Sequence, residues 1–281
     1  MKAFRGQPSI YAETLNQERK AELFVKGLTL RFGGIVALSA IDLDVRTGEL
    51  VSVIGPNGAG KTSLLNCITG YYRGQEGQIL FNAKDITSLP THSLIEHGIG
   101  RTFQNIELFP GMTVLSNLLL ARHVHCRYPF GQAVFFTKKV RQEEVRHREV
   151  LEEIIDFLEI QPIRHKLVGS LPYGLRKRLE LGRALALEPK LLILDEPFAG
   201  MNLEEKEDMV RFLVELNETW RQTMILVEHD MSIVMSISKR VTVLNFGVKI
   251  AEGSPEHVQS HPEVVRAYLG GDGERGAGEG G

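Results

Sequence analysis

The alternation of hydrophobic and polar residues in the first hundred positions predicts β-strands. The segments "LFVKGLTLRF" and "IDLDVRTGELVSVIG" alternate in polarity or run apolar with β-branched residues, and turns containing glycine separate them. The stretch "GQILFNAKDI" has the same character. In contrast, "GKTSLLNCITG" carries apolar residues at helical spacing up to Gly70, which predicts a helix shortly after the second segment.

Between about residues 104 and 180 the apolar residues recur at steps of three and four, which predicts helices such as "MTVLSNLLLARHV" and "VRQEEVRHREVLEEIIDFLEI". The charges from Lys138 to Arg148 alternate in sign and are interpreted as a solvated helix face. The second helix should bury one apolar face, formed by Val150, Leu151, Ile154, Ile155 and Leu158.

Two later segments, "KLLILDEP" and "TMILVEHD", predict buried parallel strands that each end in carboxylates. Together with the helices between them, these strands indicate an α/β fold. Residues 1–20 are polar without clear periodicity and are interpreted as an N-terminal arm. Residues 271–281 belong to the glycine-rich ending "GGDGERGAGEGG" and should form a disordered tail.

Composition narrows the class of protein. The 281 residues are 43% hydrophobic and 24% charged, with a net charge of −2, so we expect a globular chain that does not bind nucleic acid. Cys67 and Cys126 have no metal-binding spacing and suggest no disulfide framework. There is no signal-peptide pattern and no apolar run long enough to span a bilayer. We therefore expect a cytoplasmic chain whose membrane role, if any, comes through a partner.

The segment "GPNGAGKT", from Gly55 to Thr62, matches the pattern G-x-x-x-x-G-K-[ST] between a predicted strand and a predicted helix. Glycines allow the backbone to wrap around an anion, and the N–H groups at a helix start point at phosphate oxygens. Lys61 can reach the β- and γ-phosphates of a nucleotide, and the Thr62 hydroxyl can ligate magnesium. The sequence therefore predicts a site for ATP and Mg²⁺.

The ends of the two later strands supply candidate chemistry. Asp195 should face the magnesium shell, and Glu196 should face the γ-phosphate, where it could polarise a water molecule. The alternative is that both carboxylates merely cap the next helix. His229 follows the neighbouring strand, and a parallel sheet would bring it to the same edge as a γ-phosphate sensor.

These motifs, in this order, make the chain resemble the ATP-binding subunit of an ABC transporter over about residues 21–270. Gly55–Thr62 resembles the Walker A loop, Gln104 in "RTFQNIELFP" the Q-loop, Leu191–Glu196 Walker B, and His229 the switch histidine. "FAGMN" resembles the D-loop, with Asn202 where aspartate is commoner. Phe32 stands where the family has an aromatic that stacks on adenine, although by sequence alone it is equally plausible as a core residue.

The resemblance implies a P-loop NTPase core with a mixed sheet, and a helical subdomain inserted at about residues 104–180. A groove of that subdomain would receive a cytoplasmic helix of a transmembrane permease subunit, at the inner face of the membrane. ATP would lie between two ATPase subunits, and Gln104 would join Glu196 and His229 in catalysis. Magnesium would be held by Thr62, Gln104 and Asp195, and the expected nucleotide contacts are Phe32, Gly55, Pro56, Asn57, Gly58, Ala59, Gly60, Lys61, Thr62, Ser63, Tyr173 and Gly174.

Three less specific sequence segments indicate the kind of transporter. "LPYG" at residues 171–174, the segment "FGQAVFFTKKVRQEE" and the ending "AEGSPEHVQSHPEVVRAYLG" resemble ATPases of branched-chain amino acid importers, which work with a substrate-binding protein. Urea or amide importers and lipopolysaccharide exporters share much of this pattern. Two alternatives outside transport are a soluble ABC protein of repair or translation and a small-molecule kinase.

Residues 171–175 resemble the signature segment of the family, which would cap the γ-phosphate of ATP bound to the other subunit, but Pro172 stands in place of serine and Leu175 in place of glutamine. Proline provides neither a hydroxyl nor an N–H, so the cap must come from the helix start, through the N–H groups of Tyr173 and Gly174. Gly174 would permit close approach to the phosphate. The rival interpretation is a degenerate site capped mainly by a second ATPase subunit.

Overall fold

The fold is built on two β-sheets that share one apolar core. The computed structural model describes residues 20–104, 106–125 and 138–269. Its strands are β1 Leu23–Phe32, β2 Ile35–Val45, β3 Leu50–Ile54, β4 Glu76–Phe81, β5 Lys84–Asp85, β6 Ile99–Arg101, β7 Leu191–Asp195, β8 Thr223–Val227, β9 Arg240–Asn245 and β10 Val248–Gly253. Its α-helices are α1 Lys61–Ile68, α2 Thr91–Glu96, α3 Val114–Arg122, α4 Lys138–Phe157, α5 Tyr173–Leu185, α6 Leu203–Glu218, α7 Met231–Ile237, α8 Pro255–Ser260 and α9 Pro262–Leu269.

The larger sheet has the strand order β10-β9-β3-β8-β7-β6. The strands from β9 to β6 pair in parallel, and only β10 is antiparallel, so the sheet is mixed as predicted. Strands β3, β7 and β8 are buried along their whole length, because continuous apolar runs suit a strand covered on both faces. Their parallel pairing brings the carboxyl ends of all three strands to one edge of the sheet.

The smaller sheet is antiparallel, in the order β2-β1-β4-β5, and carries the alternating segments at the start of the chain. Helix α1 lies against both sheets, and its residues Leu64, Leu65 and Ile68 share one apolar cluster with residues of β1 and β8. The guanidinium of Arg240 connects the two sheets by ion pairs to Asp44 and Glu252.

Helices α3, α4 and α5 pack together in the region predicted to be helical. The apolar face predicted for α4 is confirmed, since Val150, Leu151, Ile154, Ile155 and Leu158 are all buried. Helix α5 continues to Leu185, past the predicted boundary near residue 180. Arm residues 1–19, the tail residues 271–281 and Cys126 lie outside the described residues, whereas Cys67 is free and buried. Across the described ranges, no helix combines the length and apolarity that a bilayer crossing requires.

Candidate nucleotide-binding and hydrolysis site

The predicted phosphate loop connects β3 to α1, and its conformation depends on glycine. Gly55, Gly58 and Gly60 have φ values of +151°, +80° and +103°. A Cβ atom on Gly55 would lie 2.1 Å from the carbonyl oxygen of Leu244, and one on Gly60 would lie 2.7 Å from that of Ala37. These two positions therefore accept only glycine without movement of the backbone.

Lys61, the first residue of α1, is folded back onto this loop. Its Nζ donates hydrogen bonds to the carbonyl oxygens of Gly55 at 2.7 Å and Pro56 at 3.0 Å. Burial lowers the pKa of Lys61, and the negative charges of Glu196 and Asp195 oppose that shift. A buried ammonium at a helix start creates a site suited to a polyanion.

A pocket of about 420 Å³ opens above the loop. Its walls bring the second half of the loop together with Gln104 and Glu196. The residues lining it are Ile35, Val36, Ala37, Asn57, Gly58, Ala59, Gly60, Lys61, Thr62, Ser63, Gln104, Glu196 and Phe246. The phosphate loop thus shares one cavity with Gln104 and Glu196, two of the residues expected to act at the γ-phosphate.

Glu196 follows β7 directly and is held in a left-handed conformation, with φ at +48°. Its backbone N–H donates to the carbonyl oxygen of Val227 at the end of β8, and the Gln104 Nε2 donates to its Oε2 at 2.8 Å. His229 Nδ1 lies 4.0 Å from the same oxygen. A non-glycine residue at positive φ stores strain that the surrounding structure must hold, which is typical of functional positions.

Asp195 and Glu196 have different surroundings although they are adjacent. The Asp195 side chain is 5% exposed and pairs with Arg101, whose Nη2 lies 2.7 Å from Oδ2. The Glu196 side chain is 19% exposed and faces the pocket. The structure therefore gives Asp195 a buried, charge-paired environment and leaves Glu196 open to the pocket, and neither carboxylate caps a following helix.

The segment after β8 depends on a buried carboxylate. Glu228 is 1% exposed and accepts three backbone N–H groups, from Phe198 at 3.2 Å, His229 at 2.9 Å and Asp230 at 3.3 Å. Because Phe198 lies two residues after Glu196, this one side chain ties the backbone beyond Glu196 to the backbone of His229.

Helix α5 begins at Tyr173, and Pro172 is its N-cap residue. The predicted helix start in this segment is confirmed, but Pro172 lies just before the first turn rather than within it, and Tyr173 is exposed at this end. The missing side chain of Gly174 has a further role: a Cβ there would lie 2.1 Å from Oε1 of Glu205, in the first turn of α6. Glu205 and Asn202 form a capping box at the start of α6.

Comparison with known proteins decides the family. A family model described as "ABC transporter" matches residues 38–199, and one described as "Branched-chain amino acid ATP-binding cassette transporter" matches residues 248–274. The chain belongs to the ABC transporter family. It is an ATP-binding cassette, as the order of its motifs predicted.

Curated relatives and solved structures agree with this assignment. The cassette is 40% identical to the "High-affinity branched-chain amino acid transport ATP-binding protein BraF" of Pseudomonas aeruginosa, over 88% of this chain and 97% of that protein. It is 39% identical to LivG of Escherichia coli, which carries the same description, again over 88% and 97%. A solved ATP-binding cassette of an ABC transporter in its ADP conformation has a TM-score of 0.77 and 33% identity, covering 89% of this chain and 99% of that one.

The predicted fold is thereby confirmed, whereas the predicted roles of single residues stay predictions. The cassette brings Lys61, Thr62, Gln104 and Glu196 to one pocket and places His229 beside it. Phe32 is 46% exposed, so the alternative of a core residue is wrong. Its ring packs edge-on against Tyr72 at 5.1 Å and does not line the pocket.

Magnesium fits the donors that the cassette offers. Hydroxyl, amide and carboxylate oxygens are the ligands this ion prefers, and it commonly takes one or two carboxylates together with substrate phosphates. Thr62 and Gln104 line the pocket, and Asp195 is near enough to act on the Lys61 charge. Within residues 20–104, 106–125 and 138–269, no group of three or more His, Cys, Asp or Glu could hold a metal by itself.

Sequence reasoning missed three groups around the site. Arg101, at the end of β6, was not singled out, and Glu228 was noted only as a carboxylate at a strand end; their contacts with Asp195 and with the backbone of Phe198 were not foreseen. The third group lies on α5: Lys177 donates to the carbonyl oxygen of Gln104 at 3.0 Å, and Glu180 accepts from the N–H of Phe103 at 3.1 Å. Burial raises the pKa of Glu180, and the Lys177 charge opposes that shift.

Proposed function

We propose that this cassette is the ATP-hydrolysing subunit of an importer for branched-chain amino acids. The observation that carries the proposal is the convergence of Gln104, Glu196 and His229 at the phosphate-loop pocket. The kind of substrate rests on the match of residues 248–274 to the branched-chain family and on the descriptions of the BraF and LivG relatives.

The chemistry assigned to the residues is hydrolysis of the γ-phosphate. Lys61 exchanges its two carbonyl partners for phosphate oxygens when nucleotide binds, since an anion is the stronger acceptor. Glu196 takes the proton of the attacking water, and Gln104 and His229, which both approach its Oε2, hold the carboxylate in position for this step. Thr62, Gln104 and Asp195 would hold magnesium, which when bound would neutralise phosphate charge.

The surface at the starts of α5 and α6 is a candidate site for pairing with a second ATPase subunit. Tyr173 at the start of α5 and Leu203 at the start of α6 are exposed, at 42% and 73%. We assign this surface to contact with a second ATPase subunit, in which the phosphate loop of each subunit faces residues 171–175 of the other.

A second surface suits a permease. A mostly apolar groove of about 220 Å³ lies between the β6 edge of the larger sheet and helices α2, α3 and α5, lined by Tyr71, Leu94, Phe103, Leu120 and Leu187 among others. We assign it to a cytoplasmic segment of the permease, because the relatives are transport proteins and no described helix of this chain could span the membrane. The cassette would then sit peripherally at the inner face of the membrane.

The test is recovery of the assembled transporter. Tagged cassette should co-purify with multi-span permeases from solubilised membranes, and proteoliposomes containing them should take up radiolabelled leucine with ATP and a binding protein. Leu120→Glu, placed in the groove, should abolish co-purification while leaving nucleotide binding intact. The adjacent Leu119→Glu is the matched control, since Leu119 is equally exposed but does not line the groove. Transport that persists without any permease, or that excludes leucine, isoleucine and valine, contradicts the proposal.

A further inference from the structure

Arg101 links the groove to the carboxylate predicted to hold magnesium. It is the last residue of β6, at the edge of the larger sheet, and its side chain is 7% exposed. One side of this residue lines the groove. Its Nη2 reaches Oδ2 of Asp195 at 2.7 Å, and no described residue forms a hydrogen bond to Oδ1.

The remaining contacts of Arg101 hold the guanidinium in place. Nη1 donates to Oδ1 of Asn66 at 2.7 Å and to the hydroxyl of Thr69 at 3.1 Å, so the residue also braces the helix that follows the phosphate loop. The ring of Phe103 lies over the guanidinium, with 5.3 Å from Cζ to the ring centroid. Phe103 also lines the groove and immediately precedes Gln104.

Arg101 has one donor that these contacts do not use. Its Nε is buried and has no hydrogen-bond partner in the described part of the chain. A buried, unpaired N–H is costly, and native proteins rarely leave one without a partner. Because Nε is enclosed, an oxygen of a docked segment could reach it only if the groove lining moves, whereas Arg101 and Phe103 already line the groove and would be contacted directly.

We propose that Arg101 is a positioning residue: it orients Asp195 for magnesium, and a segment docked in the groove acts on the magnesium site through it. The second half rests on the proposed function of the groove. Groups that hold metal-ligating carboxylates usually change metal affinity by ten- to a hundredfold when removed. The fork of the guanidinium reaches Asp195 and α1 together, whereas a lysine ammonium would reach only one of them.

The first experiment uses the full chain without permease. Binding of a fluorescent ATP analogue is titrated with Mg²⁺ for wild type, Arg101→Lys and Arg101→Gln, and repeated in EDTA. Arg101→Gln should raise the Mg²⁺ concentration for half-maximal binding about tenfold, with Arg101→Lys between it and wild type, while binding in EDTA stays within about twofold.

A buried arginine remote from the site separates positioning from stability. Arg122 is 4% exposed and pairs with Glu188, and it does not line the nucleotide pocket. Arg122→Gln should therefore lower the melting temperature without moving the Mg²⁺ dependence. If Arg101→Gln needs the same Mg²⁺ as wild type within about twofold, or if both variants shift it equally, Arg101 is not a positioning residue.

The second experiment compares the isolated chain with the permease complex. Assembly should shift the Mg²⁺ dependence of wild type, and Arg101→Lys should abolish that shift while still co-purifying with permease. If assembly shifts the Mg²⁺ dependence of Arg101→Lys as much as that of wild type, the docked segment does not act on the magnesium site through Arg101. Failure of wild type to assemble overturns the proposed function and with it this action of the docked segment, whereas the titration without permease still decides the role of Arg101 toward Asp195.

Discussion

Removal of the Glu228 carboxylate should loosen the backbone on which both Glu196 and His229 depend. The perturbation is Glu228→Ala, which deprives the N–H groups of Phe198, His229 and Asp230 of their acceptor. A hydrogen bond to a charged group contributes about 1.5–3 kcal/mol, and a buried N–H left without a partner costs about 1–3 kcal/mol.

The three bonds share one acceptor and cannot be added independently, so we expect a loss of about 3 kcal/mol in the free energy of unfolding. For a domain of this size, this corresponds to a fall of about 6–12 °C in Tm. The effect on hydrolysis should exceed the effect on binding, because none of the three N–H groups belongs to the phosphate loop. We expect kcat to fall about 10- to 100-fold and the nucleotide Kd to stay within about threefold.

The assay is calorimetric Tm together with steady-state ATP hydrolysis and binding of a fluorescent ATP analogue. Glu228→Gln retains one acceptor oxygen but turns an NH₂ group toward a backbone N–H, so its Tm and kcat should lie between those of Ala and wild type. Glu207→Ala, an exposed position on α6, should change stability by less than about 0.5 kcal/mol. A Glu228→Ala protein with wild-type Tm and kcat would refute the reasoning.

Three further predictions concern the predicted site itself. Glu196→Gln should lower ATP turnover by orders of magnitude and leave ATP binding intact, whereas Lys61→Ala should lose binding; turnover within about twofold of wild type would contradict the role of Glu196. Pro172→Ser should modestly raise the ATPase activity of the assembled transporter, since one hydrogen bond is worth about 1 kcal/mol, and unchanged activity would favour capping by the second subunit. Gly174→Asp should abolish activity, and because its Cβ meets Glu205 in the same chain, it should also lower the Tm of the isolated cassette; an active Gly174→Asp transporter would show that this signature is dispensable.

The sequence by itself determined the phosphate loop, the strand before it, the helix after it and the buried face of α4. These features are local, because a glycine pattern, a β-branched run or a repeat of three and four residues is dictated by backbone geometry within one element. The parallel pairing of buried strands also made the meeting of Glu196 and His229 at one sheet edge foreseeable.

Only the tertiary structure decided which distant side chains hydrogen-bond to the residues of the site. Arg101 meets Asp195 across 94 positions of the chain, and Lys177 meets the carbonyl of Gln104 across 73. Periodicity tells which face of an element is buried but not which distant residue it meets. For the same reason, sequence alone could not place Phe32 outside the pocket or Glu205 behind Gly174, since both depend on how separate elements pack.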